Sequence, residues 1–157
     1  MPTNPFFYFI IAGLLFFVIS GVFFFIQKDK IIEKYRQPDA VILKKIYGTI
    51  TTVHKGTLHY NKRFQWCSFD ILLNENSIFL FPRSFYIVPR GCINLKFRSN
   101  AKNTKNPTFL IRFHLNGDSV ELIYYPDHLL NGERTISLNG LNKEQILLFQ
   151  KALDQQT

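Results

Sequence analysis

Cysteine is scarce in this 157-residue chain, where Cys67 and Cys92 are the only two. That excludes a disulfide-stapled scaffold and leaves room for one bridge at most. No Cys-x-x-Cys or His-Glu-x-x-His spacing occurs, so His54, His59, His114 and His128 read as solvent-facing or locally bonded side chains. Nothing in the sequence favours zinc held by the two cysteines and a histidine. The eight glycines are scattered, with neither a Gly-rich turn opening a helix to cradle phosphate nor a GxSxG elbow. Asp118 and Glu121 flank a turn, where solvated acids are ordinary. No catalytic residue, cofactor or metal ligand is assigned, and an enzyme is not expected. The only Asn-x-Thr, Asn106-Pro107-Thr108, is blocked by its proline. Acidic residues are also few, eleven against nineteen Lys and Arg, for a net charge of +8.

What the chain has in abundance is apolar residues at one end. Phe6 to Ile26 carries no charge and contains eight Phe and eight Ile, Leu or Val. At about 1.5 Å per helical residue, these 21 residues reach roughly 31 Å, the thickness of a bilayer's hydrocarbon core. A cleaved signal would begin with basic residues and end in small ones, whereas Met1-Pro2-Thr3-Asn4-Pro5 precedes the run and Phe23-Phe24-Phe25-Ile26-Gln27-Lys28 closes it. The expectation is a single transmembrane helix over residues 1–27. A buried soluble helix of this composition would need a core surrounding it on all sides, which the rest of the chain is too short to supply. Gly13 and Gly21 lack small residues four positions away, so the helix-dimer motif is incomplete. Lys28, Lys30, Lys34 and Arg36 follow the span while no basic side chain precedes it, which predicts a cytoplasmic C-terminal domain.

Residues 28–40 form a basic neck. Its helix can continue with Ile31, Ile32 and Tyr35 on one side until Pro38 disfavours helix at Gln37. The neck's charge has two readings: topogenic charge alone, or a stripe resting on anionic headgroups at about 1 kcal/mol per basic residue.

From Val41 onward the pattern changes to strands separated by short turns. Ile46 to Val53 reads as a strand, Lys55-Gly56 as a turn and Thr57 to Tyr60 as a return. Cys67, Phe69, Ile71 and Leu73 alternate, Asn74-Glu75-Asn76 turns the chain, and Ser77 to Phe81 comes back. Phe109, Ile111, Phe113 and Leu115 are expected on one face, with Arg112 and His114 on the other. Asn116-Gly117 marks a two-residue hairpin turn before Val120, Leu122 and Tyr124. Arg134 to Leu138 is a further strand, and Arg98 to Pro107 reads as one polar loop. Asn142 and Gln145 form a capping box, Leu141 and Ile146 a hydrophobic staple, and Ile146, Phe149 and Leu153 the apolar stripe of a closing helix.

The hairpin pair Asp70-Ile71-Leu72-Leu73 and Ser77-Ile78-Phe79-Leu80-Phe81, the segment Val88-Pro89-Arg90-Gly91-Cys92-Ile93, and Ser137-Leu138-Asn139-Gly140-Leu141 leading into a helix resemble, in their order, the pleckstrin-homology-like fold of bacterial PH and GRAM-type domains. The resemblance covers residues 41–157 and implies an antiparallel barrel or sandwich of about seven strands closed by a C-terminal helix. It also directs attention to the first hairpin loops, where lipid-binding members hold inositol phosphates. Lys55, Lys62 and Arg63 fall there, although the adjacent Lys62-Arg63 pair lacks the family's alternating basic pattern.

Residues 27–105 hold fifteen Lys or Arg against five acids, +10, and residues 106–157 hold four against six, −2, which together give the +8. Positive charge is thus concentrated nearest the span and suits anionic lipid. Lys28, Lys30, Lys34, Arg36, Lys55, Lys62 and Arg63 are the candidate contacts for headgroups or a partner. Nucleic acid, which could stack on Tyr60, Phe64 and Trp66 among basic residues, is not expected behind a membrane tether. Trp66 is expected to pack on the core or its rim. The functional expectation is a non-catalytic, single-pass binding or assembly module that engages the bilayer through Phe6 to Ile26 and a membrane-associated protein or anionic headgroups through its domain. The alternatives are a subunit of a larger complex packing through its Phe-rich span, and a membrane-bound hydrolase, which needs convergent Ser, His and acid groups.

Overall fold

A computed structural model describes residues 5–55, 60–97, 106–126 and 132–154. Helix α1 spans Pro5–Tyr35, 31 residues, or about 46 Å at the usual helical rise. Proline suits its first turn, where an amide hydrogen would lack an intrahelical partner. The last turn closes with Arg36 N–H on the Ile32 carbonyl, and the chain turns away at Pro38. The helix is long and apolar enough, by length and composition, to cross a membrane, and none of its most apolar window is buried.

Eight strands follow: β1 Val41–Lys55, β2 Tyr60–Leu73, β3 Ser77–Ser84, β4 Val88–Pro89, β5 Ile93–Lys96, β6 Thr108–Asn116, β7 Ser119–Tyr124 and β8 Gly132–Asn139. Their order is β2-β1-β8-β7-β6-β5-β3, and β3 pairs back on β2, so seven strands close into a barrel with β4 added at the edge of β3. Every pairing is antiparallel except the short one between β5 and β6. Inward side chains such as Phe69, Ile71, Ile78, Leu80, Leu122 and Ile136 fill the barrel.

Helix α2, Lys143–Asp154, packs on the barrel with Phe149 and Leu153 fully buried. Its start is the reciprocal capping box expected from sequence: Asn142 N–H donates to Gln145 Oε1 at 2.9 Å and Gln145 N–H to Asn142 Oδ1 at 2.8 Å. Gly48 lets β1 lie against β8, since a Cβ there would fall 2.2 Å from the Ser137 carbonyl oxygen.

Several local expectations are corrected. β2 is one continuous strand from Tyr60, not a short return followed by a second strand at Cys67; Gly56 to His59 and Arg98 to Lys105 lie outside the described residues. The expected face of β6 breaks because a bulge between Leu110 and Arg112 shifts its register on β7. Leu110 is therefore buried while Phe109 and Ile111 are exposed, and only Phe113 and Leu115 keep the core side. The β6–β7 turn is Gly117-Asp118, one residue later than expected, with Asn116 paired to Ser119. Gly117 has φ +60°, and glycine is the residue that the first central position of a type II′ turn demands.

Candidate functional site: the junction of the apolar helix and the barrel

The second half of β2, Cys67 to Leu73, and nearly all of β3 are buried on both faces. Their inward residues belong to the barrel core. Their outward residues Leu72, Phe79 and Phe81 form a second cluster with Ile31 and Ala40, against which Tyr35, Ile42 and Cys92 pack. The Tyr35 ring stacks on Phe79 with centroids 5.5 Å apart. The C-terminal third of α1 is thus a component of the domain, held to the outside of the barrel by apolar contact.

One carboxylate organises the polar part of this junction. Asp70 faces outward between Phe69 and Ile71 and is almost completely buried. Its Oδ2 accepts from Lys28 Nζ of α1 at 3.1 Å and from Arg83 of β3, and its Oδ1 accepts the Lys45 backbone N–H at 3.1 Å. Lys45 sits in a β1 bulge between Leu43 and Ile46 with φ 56°, a left-handed conformation that a side chain with a Cβ resists. The bulge aims that amide at the carboxylate. Burial alone would raise the Asp70 pKa, but the Lys45 amide and the charges of Lys28 and Arg83 outweigh it and hold the carboxyl below its ordinary range.

Asn74 closes the far end. Its Nδ2 donates to the Tyr35 carbonyl at 3.0 Å and its Oδ1 accepts the Gln37 N–H, while Gln37 Oε1 accepts the Glu75 N–H at 3.0 Å. These contacts fix a direction. Along α1, Tyr35 meets Asn74 and Phe79, Lys28 meets Asp70, and Gly21, Phe24 and Phe25 share a groove of about 270 Å³ with Pro82, Arg83 and Arg90. Descending β2 from Asn74 toward Trp66, or ascending β3 from Phe79 toward Phe85, therefore leads the same way as α1 toward its apolar N-terminal part.

The basic residues singled out in sequence do not gather into one site. Lys28 is engaged by Asp70, while Lys30 and Lys34 are exposed on α1 and Arg36 is exposed just after it. Lys62 and Arg63 are exposed on β2, paired across to Val53 and Thr52, and the side chain of Lys55 lies outside the described residues. Asp70, Arg83 and Arg90 escaped the sequence reading; the available signal was one acid embedded in the apolar alternation of β2. Trp66 is 55 % exposed, so of the expected placement on the core or its rim the core is excluded and the rim remains. It points outward opposite Thr49 and meets Phe64 edge-on at 5.4 Å. Cys67 is buried inside the barrel while Cys92 packs on the outer cluster, and no disulfide joins them. His54 is half-buried and His114 exposed, and His59 and His128 lie outside the described residues. Among the described residues no three His, Cys, Asp or Glu side chains come together as a metal site would require.

Compared with known protein families and with curated proteins, the chain finds no match.

Proposed function

We propose that the chain is a single-pass membrane protein whose β-barrel, PH-like in its strand order and closing helix, is held on the cytoplasmic side as a binding or assembly module. The observation that carries this reading is the continuity of α1: an apolar stretch whose most apolar window has no buried residue runs without a break into a segment bolted to the barrel by Asp70 and Asn74. Sixteen Phe, Ile, Leu or Val between Phe6 and Ile26, each favouring insertion by roughly 0.3–0.6 kcal/mol, supply several kcal/mol of anchoring. The basic flank after the span supports the cytoplasmic assignment. No catalytic step belongs to this reading. The module acts by localisation, since a domain confined to the bilayer meets membrane-associated partners at high effective concentration.

A protein partner has a specific place to bind. β6 pairs with β5 only through Thr108 and Phe109, so its further backbone on that side has no strand beside it among the described residues. Phe109 and Ile111 stand exposed there, which suits strand addition.

Alkaline carbonate washing tests the anchor: the intact chain is expected in the membrane pellet, and its release into the supernatant overturns the reading. Affinity capture of the full-length protein from solubilised membranes, with the barrel lacking residues 1–27 as control, tests the module. Replacing the span with an unrelated apolar sequence separates tethering, which survives the exchange, from assembly through the Phe-rich helix, which does not.

A further inference from the structure

We propose that the barrel touches the bilayer a second time, through a rim of Phe64, Trp66, Phe85, Tyr86 and Ile87 that seats in the lipid headgroup layer of the membrane holding α1. The inference rests on the anchor reading above and adds a contact that the helix itself does not require.

The rim is contiguous. Phe64 and Trp66 pack edge to face, and the Phe85 N–H donates to the Trp66 carbonyl at 3.0 Å. Tyr86 meets Tyr47 edge-on at 5.4 Å. All are large and left in the open, Phe85 at 68 % and Ile87 at 70 % exposure. A cluster of this kind on a soluble surface marks an interaction site.

Direction identifies the occupant. The contacts along α1 show that β2 before Asp70 and β3 after Phe81 run toward the apolar part of the helix. The rim therefore lies at the end of the barrel that the span approaches. Its composition is that of a membrane interface, where Trp and Tyr place an apolar ring among acyl chains and a polar edge at the headgroups. Lys62, two positions from Phe64 on the same outward face of β2, and Arg90 are exposed, and the outward β1 residues opposite Trp66 and Phe64 are the uncharged Thr49 and Thr51. Cations in this position suit anionic phosphate.

The backbone supplies independent support. Ser84 to Ile87 is a turn closed by Ile87 N–H on the Ser84 carbonyl, and both central residues, Phe85 and Tyr86, have positive φ, 49° and 66°. Asn-Gly fills such positions without strain; two bulky aromatics do not. They gain little burial in exchange, and strained residues of this sort cluster where a surface is used. Below them Ser84 accepts from Gln65 Nε2 and from Arg90 Nε, and Arg90 N–H donates to the Pro82 carbonyl at 2.9 Å, so the turn stands on a fixed base.

Trp66 is the chain's only tryptophan and reports on this contact directly. The full-length protein is reconstituted into phosphatidylcholine–phosphatidylglycerol vesicles, with and without lipids brominated near the headgroup end of the acyl chain, and acrylamide serves as the aqueous quencher. Bromolipid is expected to remove a large share of Trp66 emission while acrylamide removes little, and Phe85→Ser with Ile87→Ser is expected to reverse that pattern. Emission quenched by acrylamide and not by bromolipid overturns the proposal, as does emission shielded from both, which would mean that protein covers the rim. Flotation after an alkaline wash keeps the two readings apart. Protein that fails to float refutes the anchor, whereas protein that floats with Trp66 in water refutes only the rim.

Discussion

Lys28, the first charged residue after the apolar run, donates to the Asp70 carboxylate across 3.1 Å, and that carboxylate also receives Arg83 and the bulged Lys45 amide. One side chain thereby connects α1, β1, β2 and β3. Asp70→Asn keeps the shape and one acceptor but removes the charge that two cations share. Lys28 and Arg83 retain partial access to water, so the expected loss is about 1–3 kcal/mol, less than for a fully buried pair. Denaturant unfolding of the solubilised full-length protein measures it. Lys28→Met is expected to cost less, because Arg83 and the Lys45 amide remain. Equal stability of Asp70→Asn and the parent would show that the apolar cluster alone holds the helix.

The same carboxylate sets a pH dependence. Its folded pKa lies below the ordinary value, because the Lys45 amide and the two cations overcome the effect of burial. An acid with a depressed folded pKa contributes stability that is fully present above its unfolded pKa, about 3.9, and is lost as pH falls through the folded value. The junction is therefore expected to be insensitive to pH near neutrality and to weaken only below the ordinary Asp range. Amide exchange at Lys45, followed through an acid titration, reports this locally, and Asp70→Asn should flatten the response. Loosening that begins near pH 6 would point to another group.

Much of this architecture is legible in the residue pattern because it rests on local physics. The long apolar helix follows from length and apolarity, α2 from reciprocal capping by Asn142 and Gln145, and the β6–β7 hairpin from glycine's tolerance of positive φ. What stays hidden depends on contacts between distant segments. A bulge inverts Phe109 and Ile111 relative to strict alternation, and nothing in the residues around Leu110 announces it. Asp70 looks like any solvated acid until α1 is known to return along the barrel. Trp66 reads from sequence as a residue of the core or its rim, and its place on an outward position of β2 is decided by register with Thr49.

Gly48 illustrates how closely β1 and β8 approach. A Cβ at this position would stand 2.2 Å from the Ser137 oxygen and 3.1 Å from the Leu138 Cα, and both obstacles are backbone. Gly48→Ala must push the two strands apart or break their ladder, at an expected cost of about 1–3 kcal/mol or more. Gly91→Ala, where a Cβ meets nothing within 4 Å, is expected to be close to neutral. A comparison of their unfolding midpoints checks both.

The two thiols should differ in reactivity. Cys67 is wholly buried, and burial raises its pKa despite the Arg90 charge and the Ser84 hydrogen bond, which act the other way. Little thiolate is available, and little reagent can reach it. Cys92 is half-buried on the outer face. Maleimide is expected to modify Cys92 first and Cys67 only upon unfolding, so mass spectrometry of a native reaction should find one adduct at position 92. Early modification of Cys67 would mean that the barrel opens under native conditions.

The turn at Phe85 and Tyr86 yields a prediction in which stability and use oppose each other. Both residues occupy left-handed backbone positions and their side chains are exposed, so they strain the fold without repaying it in burial. Replacing them with Asn and Gly supplies the residues that such a turn prefers. The double variant Phe85→Asn with Tyr86→Gly is expected to be more stable than the parent by about 1–3 kcal/mol, offset in part by the added freedom of glycine in the unfolded chain. A higher urea midpoint at unchanged slope, measured in micelles, is the expected result. Gain of stability together with weaker bromolipid quenching of Trp66 would identify the strain as the cost of displaying aromatics to lipid, the kind of exchange common at functional surfaces. A lower midpoint would mean instead that contacts such as Tyr86 on Tyr47 hold the hairpin together.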